Sequence, residues 1–449
     1  MVDLRPYQGE AVDRLRAAYC AGAGGALLEL GTGAGKTVTA MAVVAGVWRG
    51  RGSVLWVAHR QELVQQARAC AVEFGLQPAI DAGKLVFATV QGSAWRDLPL
   101  VPTVIVVDEG HRALAKSYLS IFAEYHVSFR LLLTGTAWRS DGGDFSRVAE
   151  VTVKGPTIGE LTEQGYLVPA CYWSVPGVDC SGLHVRRGEF VAGEVAAAFD
   201  RPQLVGDVAA TYLRLAGDRR GVVFCAGVAH AEHVAAGLRD LGVAAVCVSG
   251  ETRLHERASA LHAHSLGLLQ VLCNADLLVE GWDNPAVSAV SVARATASDI
   301  IWRQAVGRGL RPAQGKPDCV VIDHGGNCAR LGLVDEVLQY ESGSGGARGR
   351  SDGVSLLTCD ACFAVLPSKP RPVTCPRCFA VLPVKAARKA EAVDGELVPF
   401  GGERAQGKAA MDWALWRKLD VERQSRGYRV GWTWARYNAS KEAQSWAKA

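Results

Sequence analysis

No apolar run in this chain approaches the ~20 residues that span a bilayer, and residues 1–8 lack the apolar core of a secretory signal. The expectation is a cytoplasmic protein with no membrane partner. A disulfide framework is missing too. Of thirteen cysteines, nine are scattered singly, mostly in apolar surroundings such as those of Cys225 and Cys273, which is reduced-compartment usage. No local cluster of acids and bases points to nuclease chemistry. His230 with His233, and His262 with His264, have no Cys or carboxylate companions at ligand spacing, so they read as ordinary surface or partly buried histidines.

What is present allows a large globular protein. The 449 residues, 49% of them hydrophobic, suffice for two or three domains with substantial cores. The formal charge of +4 hides an asymmetry: residues 347–449 carry eighteen Lys/Arg against ten Asp/Glu, which leaves −4 for the rest. A polyanion partner at the basic end and an ordinary solvated surface both fit that excess.

The chain is organised around Leu30-Gly31-Thr32-Gly33-Ala34-Gly35-Lys36-Thr37, which follows an apolar run at 26–30 and precedes a helix-like run at 38–48. It reads as a phosphate-binding loop. Gly31, Gly33 and Gly35 let backbone N–H groups turn inward on phosphate oxygens, at the positive end of the following helix. Lys36 is expected to reach the β- and γ-phosphates, and Thr37 to hold Mg²⁺. Leu30 stands where the loop pattern has its first glycine, a position that need not touch phosphate.

Runs at 26–30, 54–58, 85–88, 104–107 and 131–133 alternate with helical stretches, the pattern of a mostly parallel sheet covered by helices, with ligands gathered at strand C-termini. At one such end stands Asp108-Glu109-Gly110-His111. Asp108 is placed to hold Mg²⁺ through water and Glu109 to polarise the attacking water.

Arg5-Pro6-Tyr7-Gln8, the phosphate loop, Ala58-His59-Arg60-Gln61-Glu62-Leu63, Asp108-Glu109-Gly110-His111 and Thr134-Gly135-Thr136-Ala137 follow the order of superfamily 2 helicases. The chain resembles their DEAD/DEAH-box group, in the branch of XPB-like, RadD-like and phage helicases. The resemblance implies that Gln8, with Arg5 beside it, reads adenine. It also implies that Arg60, Thr89 and Gln91 touch the nucleic acid backbone, and that Thr134 and Thr136 couple hydrolysis to domain movement. Gly110 replaces the family's usual Ala.

A connecting stretch with Gly155-Pro156 and Gln164-Gly165-Tyr166-Leu167-Val168-Pro169 leads to a Gly-rich, mixed-charge run at 178–194, read as an irregular excursion. A second alternating series follows at 221–225, 229–241, 244–248, 269–273 and 287–292, without a phosphate loop of its own. It carries Gly281-Trp282-Asp283 and then Gln304-Ala305-Val306-Gly307-Arg308-Gly309-Leu310-Arg311. Arg308 and Arg311, three apart, are expected on one helix face, suited to presenting two guanidinium groups to one phosphate. By the resemblance they are arginine fingers, with Gln304 in the catalytic set and Gly281 and Asp283 at the nucleotide. Ala275 stands where such proteins often have Thr.

A Gly/Ser/Arg linker then precedes Cys359-x-x-Cys362 and Cys375-x-x-Cys378, each opening the words Cys-x-x-Cys-Phe-Ala-Val-Leu-Pro. Two such turns supply the four thiolates of a structural Zn²⁺, which leaves no open position for catalysis. Metal binding is expected to provide most of the folding free energy of so small a module. The final stretch interleaves Trp413, Trp416, Trp432, Trp434 and Trp446 with ten Lys/Arg in 401–449. It fits either a helix docking its tryptophans or base stacking.

The expected fold is α/β: two RecA-like parallel-sheet domains in tandem plus a small zinc ribbon and a helical tail. The divisions are an ATP-binding domain at 1–153, a connecting segment at 154–200, a helicase C-terminal domain at 201–340, a linker at 341–355, the ribbon at 356–384 and a basic Trp-rich tail at 395–449. The expected activity is ATP-driven movement along, or opening of, DNA in repair, recombination or replication, with ATP, Mg²⁺ and Zn²⁺ as cofactors. RNA as the track, protein remodelling without strand separation, and a non-motor scaffold stay open. Single-stranded, duplex or forked DNA and replication or repair proteins are the expected partners. A monomer is compatible with the sequence, which does not fix the oligomeric state.

Overall fold

The computed structural model describes residues 2–335 apart from 97, 136–144, 175–179, 181, 187 and 280, then 356–382 apart from 369. These belong to one compact unit, Met1–Pro383. Of a second unit, Val384–Ala449, six residues between 418 and 426 are described. The linker at 341–355, the tryptophans of the tail and the Thr136-Ala137 half of its motif lie outside the described residues.

Two six-stranded sheets organise the first unit. Strands β1 (Gly25–Glu29), β2 (Val54–Ala58), β3 (Leu85–Thr89), β4 (Val104–Val107), β5 (Phe129–Thr134) and β6 (Val151–Lys154) form one in the order β3-β2-β4-β5-β1-β6, every pairing parallel. Helices cover both faces, so central strands are apolar throughout: Val-Leu-Trp-Val-Ala in β2 is buried end to end, with Trp56 inaccessible to solvent. Fully burying each such side chain is worth about 1.5–3 kcal/mol. The order matters for chemistry. It places β5 between β1 and β4, so the turns after β1 and β4 open on either side of buried Thr134, whose carbonyl accepts from Leu30 N at 3.0 Å.

After β6 come β7 (Ala170–Ser174), a hairpin of β8 (Val185–Arg186) and β9 (Glu189–Phe190), and then β10 (Gly221–Cys225), β11 (Ala245–Val248), β12 (Val271–Asn274), β13 (Ala289–Ala293) and β14 (Cys319–Asp323). The second sheet runs β11-β12-β10-β13-β14-β7, again all parallel. Two sequence expectations change here. The connecting segment assigned to 154–200 contributes β7, just past Pro169, to the edge of the second sheet. The run read as an irregular excursion forms the β8-β9 hairpin: Glu189 accepts from Ala297 N at 3.0 Å and lies 4.0 Å from the Arg294 guanidinium, anchoring the hairpin beyond the end of β13.

His230 and His264 also depart from expectation. Both are fully buried, and desolvation pushes each down to about 4, so they are neutral imidazoles. The His264 ring spans Gly221 O at 3.1 Å and Asn284 Nδ2 at 3.0 Å. Among the described residues no helix is long and apolar enough to cross a membrane.

Candidate active site and cysteine cluster

The loop after β1 turns where its glycines permit. Gly33 and Gly35 have φ of +86° and +81°, and Gly35 hands directly into the helix Lys36–Arg49. A Cβ on Gly35 would collide with the Gln8 amide, so the two residues are mutually fitted. Lys36 is half-buried, with Nζ 3.3 Å from Leu30 O. Desolvation pushes its ammonium below the ordinary lysine range, while Glu109 and Asp108 pull it back up.

Asp108 and Glu109 are both buried at the end of β4. Asp108 Oδ1 accepts from Glu109 N at 3.0 Å, and Glu109 takes a left-handed backbone with φ +55°. His111 Nδ1 lies 3.3 Å from Glu109 Oε2. Gly110 has a local reason for replacing Ala. A Cβ there would come within 2.9 Å of Leu132 Cβ and 3.2 Å of Leu133 N in β5.

The second sheet meets this site through the end of the helix Asp299–Gly307. Gln304 Nε2 donates to Glu109 Oε2 at 3.3 Å. A Cβ added to Gly307 would fall 2.5 Å from Thr32 Cβ, and one on Gly33 would meet Arg311 Cγ at 3.6 Å. Arg311 therefore lies against the phosphate loop, paired with Asp283 of the second half. Burial pushes its guanidinium down to about 10.

Arg308 and Arg311 do not share a helix face as the spacing suggested, because the helix ends at Gly307. Arg308 turns to its own half, its guanidinium donating to the carbonyls of Val279 and Trp282. That clamps the loop whose Gly281 stands 3.3 Å, measured from an added Cβ, from Leu63 of the first half.

Gln8 Oε1 accepts from Arg5 N at 2.9 Å, and Nε2 donates to Ala34 O at 3.2 Å. A primary amide offers two donors and two acceptor positions, so one of each remains for a base edge. Beside it, Tyr7 of the same motif meets a residue that sequence motifs did not single out. Tyr7 donates its hydroxyl to Ala34 O at 2.8 Å, and Tyr166 packs edge-on against it at 5.5 Å. The Arg5 guanidinium lies 4.6 Å over the Tyr166 ring, a cation–π contact. The only signal for Tyr166 was its place in the Gln164-to-Pro169 run.

Thr37 opens the helix Lys36–Arg49, next to Lys36. Arg60 and the Thr89 to Gln91 segment sit at the C-terminal ends of β2 and β3. Arg60 Nη1 reaches Leu277 O across the cleft at 3.4 Å, near Gln66 Nε2 to Gly281 O at 2.5 Å and Arg257 Nη2 to Glu62 Oε1 at 2.9 Å.

Comparison with known proteins agrees with this geometry. The profile of the type III restriction enzyme res subunit matches residues 1–139. A 51.5 kDa protein of a Lactococcus phage is 28% identical over 346 residues, covering 76% of this chain and 75% of its own. The ATP-dependent helicase IRC3 of Saccharomyces cerevisiae, so described, is 26% identical over 74% of this chain; the match spans about half of IRC3, 52%. These matches support a superfamily 2 ATP hydrolase of helicase type. Among solved structures, a fragment described as an HsdR subunit of a type I restriction enzyme from Vibrio vulnificus shares its fold. That likeness has a TM-score of 0.58 and 20% identity, and covers 74% of this chain and 67% of that one.

The C-terminal repeat folds as two equal knuckles. Phe363 N donates to Cys359 O and Phe379 N to Cys375 O, each at 2.8 Å, and both phenylalanines take left-handed φ, +64° and +60°. The Sγ atoms of Cys359, Cys362, Cys375 and Cys378 all lie within 4.8 Å of one another. Cys359 to Cys378 and Cys362 to Cys375 are each 3.7 Å. Tetrahedral zinc with bonds of about 2.3 Å requires sulfur atoms about 3.8 Å apart, so the donor set fits.

The first knuckle is docked on the second sheet. Strands β15 (Leu356–Thr358) and β16 (Val365–Pro367) pair antiparallel, Ala364 bridges to Trp173, and Ser174 N donates to Phe363 O at 2.9 Å. Arg377 of the second knuckle covers the Trp173 ring at 5.5 Å and donates to Cys171 Sγ at 2.7 Å.

Proposed function

We propose that this ATP hydrolase is a nucleic-acid motor that moves along or opens DNA, driven by ATP in the cleft between its two sheets. The observation that carries the reading is the Gln304 to Glu109 bond. It ties an element of the second half to the carboxylate that polarises water in the first, while Arg311 lies over the phosphate loop. A site completed from both sides depends on closure, and alternating closure is what converts hydrolysis into movement.

In this reading Lys36 and the N–H groups of residues 31–37 hold the triphosphate. Thr37 and Asp108 hold Mg²⁺, which neutralises phosphate oxygens when bound. Glu109, oriented by Gln304 and His111, takes the proton of the attacking water. Arg311 stabilises charge on the transferring phosphoryl group, and Arg308 keeps the Gly281 loop in place for it. Asp283 holds Arg311 ready. Gln8 reads adenine with its remaining donor and acceptor, beside Arg5 and Tyr166. Arg60, Thr89 and Gln91 grip the backbone of the strand. The ribbon holds one structural Zn²⁺ through its four cysteines. DNA is the preferred track, since the matching profile is that of a restriction-enzyme subunit and restriction enzymes act on DNA.

Steady-state ATP turnover tests the track directly, measured alone and with single-stranded, duplex and forked DNA and RNA in turn. Turnover is expected to rise at least tenfold, order of magnitude, with DNA. Stimulation by RNA alone overturns the choice of DNA.

A further inference from the structure

Two loops of the second half carry the pair that faces the phosphate loop: one holds Asp283, the other runs from Arg308 to Arg311. A side chain outside every motif ties them together. Lys316 Nζ donates to Arg311 O at 2.6 Å and to Pro285 O at 3.0 Å. Gly315, with φ +74°, makes the turn that folds this side chain back beneath the two loops. An ammonium has three donors, so it bridges two carbonyls and keeps one for water. Lys316 also lines a cavity of about 520 Å³ with Asp218, Arg219, Arg220 and Gln270.

We propose that Lys316 is a positioning residue for Arg311, stapling the backbone of residue 311 to the Asp283 loop so that its guanidinium stays over the phosphate loop. The inference rests on the reading that Arg311 acts on ATP in the cleft. Without the staple, the Arg311 carbonyl loses its charged donor, and the chain beyond the helix end at Gly307 is held at that carbonyl by nothing else among the described contacts. A displacement of about 1 Å at such a distance from the reacting atoms is enough to cost rate without costing binding.

The electrostatics give the staple a pH dependence. Burial pushes Lys316 down to about 8, with Arg311 and Arg219 pushing the same way and the Cys319 thiol of β14 pulling it up. Asp218 and Arg220 line the same cavity. Below pH 8 the ammonium is charged and both bonds are charge-assisted; above it the neutral amine holds the carbonyls more weakly.

The test measures kcat and KM for ATP, with saturating DNA, in the wild type, Lys316→Met, Lys316→Arg, Arg311→Ala and the double variant Arg311→Ala/Lys316→Met. Lys316→Met is expected to lower kcat about tenfold, leaving KM within about twofold. In the Arg311→Ala background it should lower nothing further, because the residue acts through Arg311. Between pH 7 and 9 the wild-type rate should decline while Lys316→Arg, charged throughout, holds level. If Lys316→Met does not fold, the comparison of pH profiles still decides. A wild-type kcat in Lys316→Met beside an inactive Arg311→Ala overturns the positioning role alone, and so does a parallel decline of both profiles. Full turnover in Arg311→Ala overturns the reading of Arg311 itself.

Discussion

Glu109→Gln lowers kcat for ATP by about 10²–10⁴-fold, the range that removal of a positioned general base costs. The substitution is nearly isosteric and keeps an oxygen for Gln304 Nε2, now 3.3 Å from Glu109 Oε2. The left-handed backbone at φ +55° is a property of the turn after β4, so the side chain enters the site from the same place. What disappears is the capacity to take a proton. ATP affinity, carried by the phosphate loop and Lys36, is therefore expected to stay within about threefold of wild type. Steady-state turnover and equilibrium binding of a fluorescent ATP analogue separate the two quantities. A Glu109→Gln variant with undiminished turnover removes Glu109 from the chemistry.

Loss of the metal from the cysteine cluster is the second large effect. Zinc binding of about 10–16 kcal/mol is of the order of the folding free energy of a small zinc module, and in this chain the ribbon also docks on β7, the edge of the second sheet. Releasing it uncovers the Trp173 ring from Arg377 and breaks the Ser174 N to Phe363 O bond of 2.9 Å. Cys375→Ser should abolish a stoichiometry of one zinc per chain, counted by mass spectrometry of the metal, and lower Tm by several degrees. Cys171, buried beneath Arg377 with its thiol pushed up by desolvation, gives a local readout. Its alkylation should speed up when the metal is lost. Unchanged Tm and unchanged Cys171 labelling would mean that the ribbon is independent of the sheet it touches.

Much of this was legible beforehand because buried parallel strands are nearly continuous apolar runs. The stretches at 54–58, 104–107 and 221–225 were read with the bounds they have. The phosphate loop, the Asp108-Glu109 pair and the four cysteines were equally plain, since each combines unusual residues at fixed spacing. The failures have physical causes. β7, Ala-Cys-Tyr-Trp-Ser, is a short edge strand flanked by Pro169, with neither alternation nor a long apolar run to mark it. Its partner β14, Cys-Val-Val-Ile-Asp, carries the apolar signal along most of its length.

The arginine pair failed differently. An i, i+3 spacing implies a shared face only while the helix lasts, and Gly307 ends it one residue before Arg308. Arg308 then binds the carbonyls of its own half, and Arg311 alone lies on the phosphate loop. Tyr166 and Lys316 could not be found from motifs, because each matters through a contact made by distant parts of the chain.

The central claim is that closure of this cleft drives movement along nucleic acid. It is tested most directly by displacement of a third strand from a DNA triplex, with ATP, with a non-hydrolysable analogue, and with the Glu109→Gln variant. The account predicts displacement by the wild type with ATP, and none with the analogue or the variant. ATP hydrolysis at full rate on the same DNA, without displacement of the third strand, would contradict it.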